Sequence, residues 1–184
     1  MTDTSPKVTD QPLEVLQSLI RDVPDYPKPG VTFKDITPLL ADARGLALAV
    51  ELMVNPFRGQ GVDLVVGAES RGFIFGTAIA QALSAGFVPV RKPDKLPRDT
   101  RSITYQLEYG EDTLQMHADA MIPHQRVLMV DDLLATGGTM RASCDLVQQL
   151  GGEIVGLSVL IELGFLRGRD KLKPYENIHA VIEY

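Results

Sequence analysis

At 184 residues the chain is long enough for one α/β domain with a sizeable core and a small appendage. A hydrophobic fraction of 45% is ordinary for a globular protein, and the formal charge of -6 repels a phosphate backbone. Nucleic-acid binding is therefore disfavoured, and Lys/Arg clusters read as small anion sites. A single cysteine, Cys144, excludes an intrachain disulfide. The polar N-terminus has no apolar signal core, and no apolar run reaches the ~20 residues that span a bilayer. A cytoplasmic location with no membrane partner is expected. Three scattered histidines and one cysteine show no metal-ligand spacing, so no direct protein metal site is expected.

In chain order, residues 1–11 read as a polar tail. Leu13, Leu16, Leu19 and Ile20 recur at helical spacing and predict a short amphipathic helix. Pro24, Pro27, Pro29 and Gly30 end it in a stiff loop. Residues 31–37 are β-like. Asp42 is a candidate cap for a helix to about residue 57, with Leu46, Val50, Met53 and Val54 on its buried face. The apolar run 62–66 predicts a buried strand that leads through Gly-Ala-Glu-Ser-Arg-Gly into a helix over 73–83, and 87–91 is the next strand.

Residues 92–102 are Pro-rich, charged and almost devoid of apolar side chains, which predicts a mobile loop. Residues 104–109 and 113–117 flank Gly110, Glu111 and Asp112 and read as a hairpin. A strand over 126–130, a helix from Gly137 to about 150, a strand over 154–161, a short helix over 165–172 and a strand over 178–182 complete the pattern. Strands alternating with helices predict a mainly parallel, twisted sheet flanked by helices.

The densest information lies in Val127-Leu128-Met129-Val130-Asp131-Asp132-Leu133-Leu134-Ala135-Thr136-Gly137-Gly138-Thr139. A strand ends in two carboxylates, and Thr-Gly-Gly-Thr then opens a helix. Unpaired N–H groups at a helix start, with the helix dipole behind them, favour an anion. Gly137 and Gly138 let backbone approach a phosphate without an intervening Cβ, and the hydroxyls of Thr136 and Thr139 can donate to it. Asp131 and Asp132 sit where open α/β sheets place their ligands. As acceptors they suit ribose hydroxyls or a metal-bound water.

This segment resembles the phosphoribosyl pyrophosphate (PRPP) motif of type I phosphoribosyltransferases. The resemblance implies that Ala135, Thr136, Gly137, Gly138 and Thr139 hold the 5′-phosphate, and that Asp131 and Asp132 bind the ribose 2′- and 3′-hydroxyls. Further stretches resemble the adenine-using members of that family: Pro29-Gly30-Val31-Thr32-Phe33-Lys34-Asp35-Ile36, Glu69-Ser70-Arg71-Gly72-Phe73, Arg91-Lys92, Leu107-Glu108-Tyr109-Gly110 and Glu162-Leu163. They run in family order from about residue 26 to the C-terminus.

The fold implied is the type I phosphoribosyltransferase fold. A small N-terminal tail and hood over 1–34 would bind the base, and the core over 35–184 would carry a mobile catalytic loop over 92–106. Thr32, Phe33 and Lys34 are implied to form the adenine pocket, Phe33 by stacking and the other two through backbone groups, with Leu163 on the other side. The family usually carries Arg where Lys34 stands, and the two cations are not equivalent. Glu69, Ser70 and Arg71, with a non-proline cis peptide, are implied to form the pyrophosphate loop. Arg91 and Lys92 would add charge for the same leaving group, one of them across a homodimer interface.

Glu108 is implied as the general acid toward adenine N7, and Tyr105 as an aid to loop closure. The implied reaction converts adenine and PRPP to AMP and pyrophosphate, with Mg2+ held mainly by the substrate. Two alternatives share the PRPP motif. One is a sister enzyme using guanine, hypoxanthine, xanthine or orotate, against which the LEYG and Phe33 segments argue. The other is a PRPP-sensing regulator, against which the acidic charge and the short N-terminal segment argue.

Overall fold

The computed structural model describes residues 11–106 and 110–184. The chain clusters into two units divided between Leu52 and Met53, so residues 35–52 group with the N-terminal segment. The predicted tail falls almost wholly outside the described residues.

In the first unit, α1 (Gln11–Ser18) buries Leu16 and leaves Leu13 and Val15 exposed. β1 (Arg21–Val23) and β2 (Phe33–Asp35) pair antiparallel, with Asp22 opposite Lys34 and Val23 opposite Phe33. Arg-Asp-Val carries no strand signal of its own. The ladder, and a Lys34–Asp22 ion pair at 2.7 Å across it, make these residues a strand. α2 (Thr37–Ala41) precedes α3 (Ala43–Val54), and the Asp42 carboxylate accepts from the Gly45 N–H at 2.7 Å. That is the capping role its residue type and position predict.

In the second unit, β3 (Leu64–Ala68) is followed by α4 (Arg71–Leu83) and β4 (Gly86–Val90). A hairpin of β5 (Thr100–Gln106) and β6 (Glu111–His117) comes next. β7 (Arg126–Leu134), α5 (Gly138–Gln149), β8 (Glu153–Glu162) and β9 (Ile178–Glu183) complete it. Among the described residues five strands form one parallel sheet in the order β4-β3-β7-β8-β9. Its strands are near-continuous apolar runs because helices cover the sheet, and Val66, Val88, Met129, Leu146, Val147 and Leu157 are buried in the core.

This order places the site. From β3 the chain moves outward through α4 to β4; from β7, the neighbour of β3, it moves the other way through α5 to β8. Right-handed crossovers in opposite directions put the two helices on opposite faces. Such a switch point opens a crevice beyond the carboxyl ends of the two central strands. Residues 69–71 follow β3 and residues 135–139 follow β7, so both anion-type segments land there.

Two expectations are corrected. Half of the predicted loop 92–106 is the strand β5, because Thr100 to Gln106 find a full ladder of partners from His117 to Glu111. The predicted helix over 165–172 is a pair of 3-10 turns, Gly164–Leu166 and Gly168–Leu172, broken by Arg167 at φ 53°. Glycines at 164 and 168 favour tight turns over a continuous α-helix. Among the described residues no helix is long and apolar enough to cross a membrane.

Candidate active site

A cavity of about 250 Å³ opens at the switch point, lined by residues 69–71 and 131–140. Every predicted phosphate, ribose and pyrophosphate-loop residue except Arg91 and Lys92 lines it. β7 runs on to Leu134, so Asp131 and Asp132 are held within the strand ladder rather than beyond it. Gly137 takes φ 76°, a conformation that suits glycine, and turns the chain into α5. A Cβ on Gly137 would overlap the Gly168 carbonyl, and one on Gly168 would overlap the Ala135 carbonyl. The Gly168–Leu172 turn thus lies in backbone contact with the predicted phosphate loop.

The same turn is anchored by a buried carboxylate. Glu162, 4% exposed, accepts a two-pronged bond from Arg169, with Nε at 2.8 Å to Oε1 and Nη2 at 2.7 Å to Oε2. The next residue, Leu163, is 8% exposed and donates its N–H to the Leu134 carbonyl at 2.9 Å. It therefore sits beside the end of β7.

The cavity's charges are unequal in their partners. The Arg71 guanidinium stands 3.2 Å from Asp132, and the Asp132 N–H donates to Asp131 Oδ1 at 2.9 Å. Burial, reinforced by the neighbouring Asp132 charge, holds the Asp131 carboxyl well above the usual carboxylate range. Asp132 is also raised by burial, with Arg71 acting in the opposite direction. Gly72 makes room for Asp131, since a Cβ there would stand 2.9 Å from Oδ1.

Raised carboxyl pKa values bind protons more tightly in the folded state. The stability this gives is full below the unfolded value of about 3.9 and is lost as pH rises through the folded values. At neutral pH, above the unfolded value, holding these two carboxyls in the fold therefore costs stability. Asp131→Asn is expected to raise Tm at pH 7.5 by ~2–4 °C, the equivalent of about 1 kcal/mol at this length, and to give no gain below about pH 4. The same variant should bind AMP about tenfold more weakly. Calorimetric melts across pH and an AMP titration check both; an unchanged Tm together with unchanged affinity would remove Asp131 from the site.

The Glu69–Ser70 peptide is cis, as the family resemblance implies. Glu69 accepts from Arg91 Nε at 2.6 Å, and the Arg91 guanidinium lies 5.9 Å from the Phe73 ring centre. Lys92 pairs with Asp112. Neither cation lines the cavity; each is docked on a carboxylate near it.

Asp112, which the sequence showed only as a turn residue, is the missed member of this group. It lies opposite Tyr105 in the hairpin register. The Tyr105 hydroxyl is 3.1 Å from Asp112 Oδ2 and 3.1 Å from Thr139 Oγ1. Burial pushes the Tyr105 hydroxyl up, so it stays protonated. Burial is the largest single influence and pushes Asp112 up, but the bond and charge of Lys92, with bonds from the Thr113 N–H and Tyr105, together hold it below the usual range. The ionised Asp112 can only accept, so Tyr105 donates to it and accepts from Thr139. A chain Lys92–Asp112–Tyr105–Thr139 therefore ties the hairpin to the predicted phosphate loop. The sequence offered no signal for it, because the predicted hairpin put Asp112 in the turn and the observed register pairs it with Tyr105.

The first unit holds three of the predicted base-binding residues, Thr32, Phe33 and Lys34, and the second holds Leu163. Thr32 is exposed and Phe33 half-buried, with the Tyr26 and Phe33 rings edge-to-face at 5.3 Å. The Lys34 ammonium is engaged by Asp22. Glu108 lies outside the described residues.

A strand, a glycine–threonine loop and a helix start meet at a switch point beside two carboxylates, an arrangement suited to the anion-binding class of open α/β proteins. The family model of the phosphoribosyl transferase domain matches residues 33–183. An adenine phosphoribosyltransferase of Acidobacterium capsulatum is 55% identical over 171 residues, covering 93% of this chain and 94% of that protein. The crystal structure of adenine phosphoribosyltransferase from Rhodothermus marinus aligns with a TM-score of 0.90 at 52% identity, covering 95% of this chain and 99% of the other. That of the Saccharomyces cerevisiae protein, complexed with an imino-altritol bisphosphate and adenine, aligns with a TM-score of 0.87 at 34% identity, covering 93% and 98%. The chain belongs to the adenine phosphoribosyltransferase family.

Proposed function

We propose that this chain joins adenine to the phosphoribosyl group of PRPP, releasing pyrophosphate and forming AMP for purine salvage. The observation that carries the reading is the switch-point cavity of about 250 Å³, which residues 135–139 line together with Asp131, Asp132 and residues 69–71. Adenine bound in the Saccharomyces cerevisiae relative supports the choice of base. The roles of Thr32, Phe33 and Lys34, and of Leu163, toward adenine rest on the family resemblance.

In the proposed reaction, adenine N9 forms a bond to ribose C1 as the bond from C1 to the pyrophosphate oxygen breaks, and the electron pair leaves with pyrophosphate. Positive charge develops on the sugar and negative charge on the leaving group. Residues 135–139 fix the 5′-phosphate, Asp131 and Asp132 fix the hydroxyls, and C1 is thereby held for attack. Arg71, with Arg91 and Lys92 once released from their carboxylates, stabilises the leaving group. Mg2+ would be held mainly by pyrophosphate and ribose oxygens and by water, with Asp131 and Asp132 placed to accept from its water, and when bound it would neutralise charge on pyrophosphate. Glu108 gives a proton to adenine N7. Closure of the loop over residues 92–99, with the β5–β6 hairpin that follows it, excludes water.

We also place the protein in the cytoplasm as a homodimer. Its single cysteine and the family resemblance support this.

A turnover assay tests the reading. Adenine, PRPP and Mg2+ are expected to yield AMP, with little product in a Mg2+-free control. Guanine, hypoxanthine, xanthine and orotate are expected to be poor substrates. Turnover of guanine but not adenine would overturn the choice of base.

A further inference from the structure

We propose that Lys171 is a phosphate-binding residue, supplying the charge that faces the 5′-phosphate of PRPP and AMP. The inference deepens the reading of residues 135–139 as the phosphate loop and rests on it. The Lys171 ammonium stands 3.8 Å from where a Cβ on Gly138 would be, beside the first residue of α5. The Tyr105 ring lies 3.4 Å from the same point.

The backbone that carries Lys171 is fixed. Leu172, its neighbour, is fully buried. Gly168, at the start of the same turn, abuts the Ala135 carbonyl, and the Arg141 guanidinium reaches the Lys171 carbonyl at 3.5 Å. The charge is not already spent. Asp170, the adjacent carboxylate, is taken by Arg167 at 2.8 Å and by Lys173 at 3.8 Å, and no carboxylate among the described residues pairs with Lys171. Arg71, by contrast, is engaged by Asp132.

The first intrahelical bond of α5 is the Arg141 N–H to the Gly137 carbonyl at 2.9 Å, so the N–H groups before it point to the loop. Amides alone meet a dianion with partial charges. An ammonium at their edge adds a full charge and a charge-assisted hydrogen bond. Lys171 is exposed, so its attraction is screened by salt.

The test is to titrate AMP and adenosine into wild type, Lys171→Gln and Lys171→Arg. Wild type is expected to bind AMP more tightly than adenosine. Lys171→Gln should weaken AMP about tenfold, leave adenosine unchanged and flatten the salt dependence of AMP binding; Lys171→Arg should restore most of the affinity. Unchanged AMP affinity in Lys171→Gln would overturn the proposal, as would equal loss for AMP and adenosine, which marks a purely structural role. Equal binding of AMP and adenosine by wild type would instead overturn the reading of the phosphate loop itself.

Discussion

Replacing Gly137 with alanine is expected to lower kcat/KM for PRPP by roughly a hundredfold or more, because a shift of about 1 Å in a binding loop has that effect. Two physical causes act together. At φ 76° an L-residue is strained, at about 1–2 kcal/mol, and the new Cβ would overlap the Gly168 carbonyl. The contact is backbone on backbone, so no side chain can swing away, and the loop itself must move. Tm should fall by roughly 2–8 °C. Gly138→Ala is the control. Its Cβ would meet the Tyr105 ring at 3.4 Å, an ordinary contact, and alanine favours the helix it opens. It should keep the melting temperature and far more of the activity. Wild-type PRPP kinetics in Gly137→Ala would show that the loop does not need its observed shape.

The second large effect is expected at Glu108. Glu108→Ala should lower kcat by a factor of ~10²–10⁴, the usual worth of a general acid, while PRPP binding changes only about threefold or less. The proposal comes from the Leu-Glu-Tyr-Gly segment and from the flanking strands. Gln106 and Glu111 pair across the hairpin, and Tyr105 in the same strand bonds Thr139 in the phosphate loop. The described residues on either side of Glu108 are thus anchored at the cavity's edge. Steady-state kinetics with a separate PRPP titration decide the point. A mutant with wild-type turnover would remove Glu108 from the chemistry.

What the sequence disclosed, and what it hid, follows from where the determining contacts lie. The strand–loop–helix form of residues 127–139 was legible because strand, carboxylates, glycines and helix start are neighbours in the chain. The strands β3, β7 and β8 were legible because burial on both faces leaves continuous apolar runs. β1 was hidden because Arg21–Val23 is a strand only by virtue of Lys34 and Phe33 opposite it. The start of β5 was masked in the same way, since Thr100 draws its strand character from His117. Gly168 reads as a turn residue in sequence, and only the fold reveals its backbone contacts with the loop some thirty residues earlier. The Lys92–Asp112–Tyr105–Thr139 chain joins four segments by side-chain bonds, which local pattern does not encode.

The most direct measurement is a crystal structure of the protein with AMP. The phosphate is expected within hydrogen-bond distance of backbone N–H groups in residues 136–139 and of a threonine hydroxyl, with the ribose diol on Asp131 and Asp132. An AMP phosphate bound elsewhere, with this loop vacant, would contradict the account.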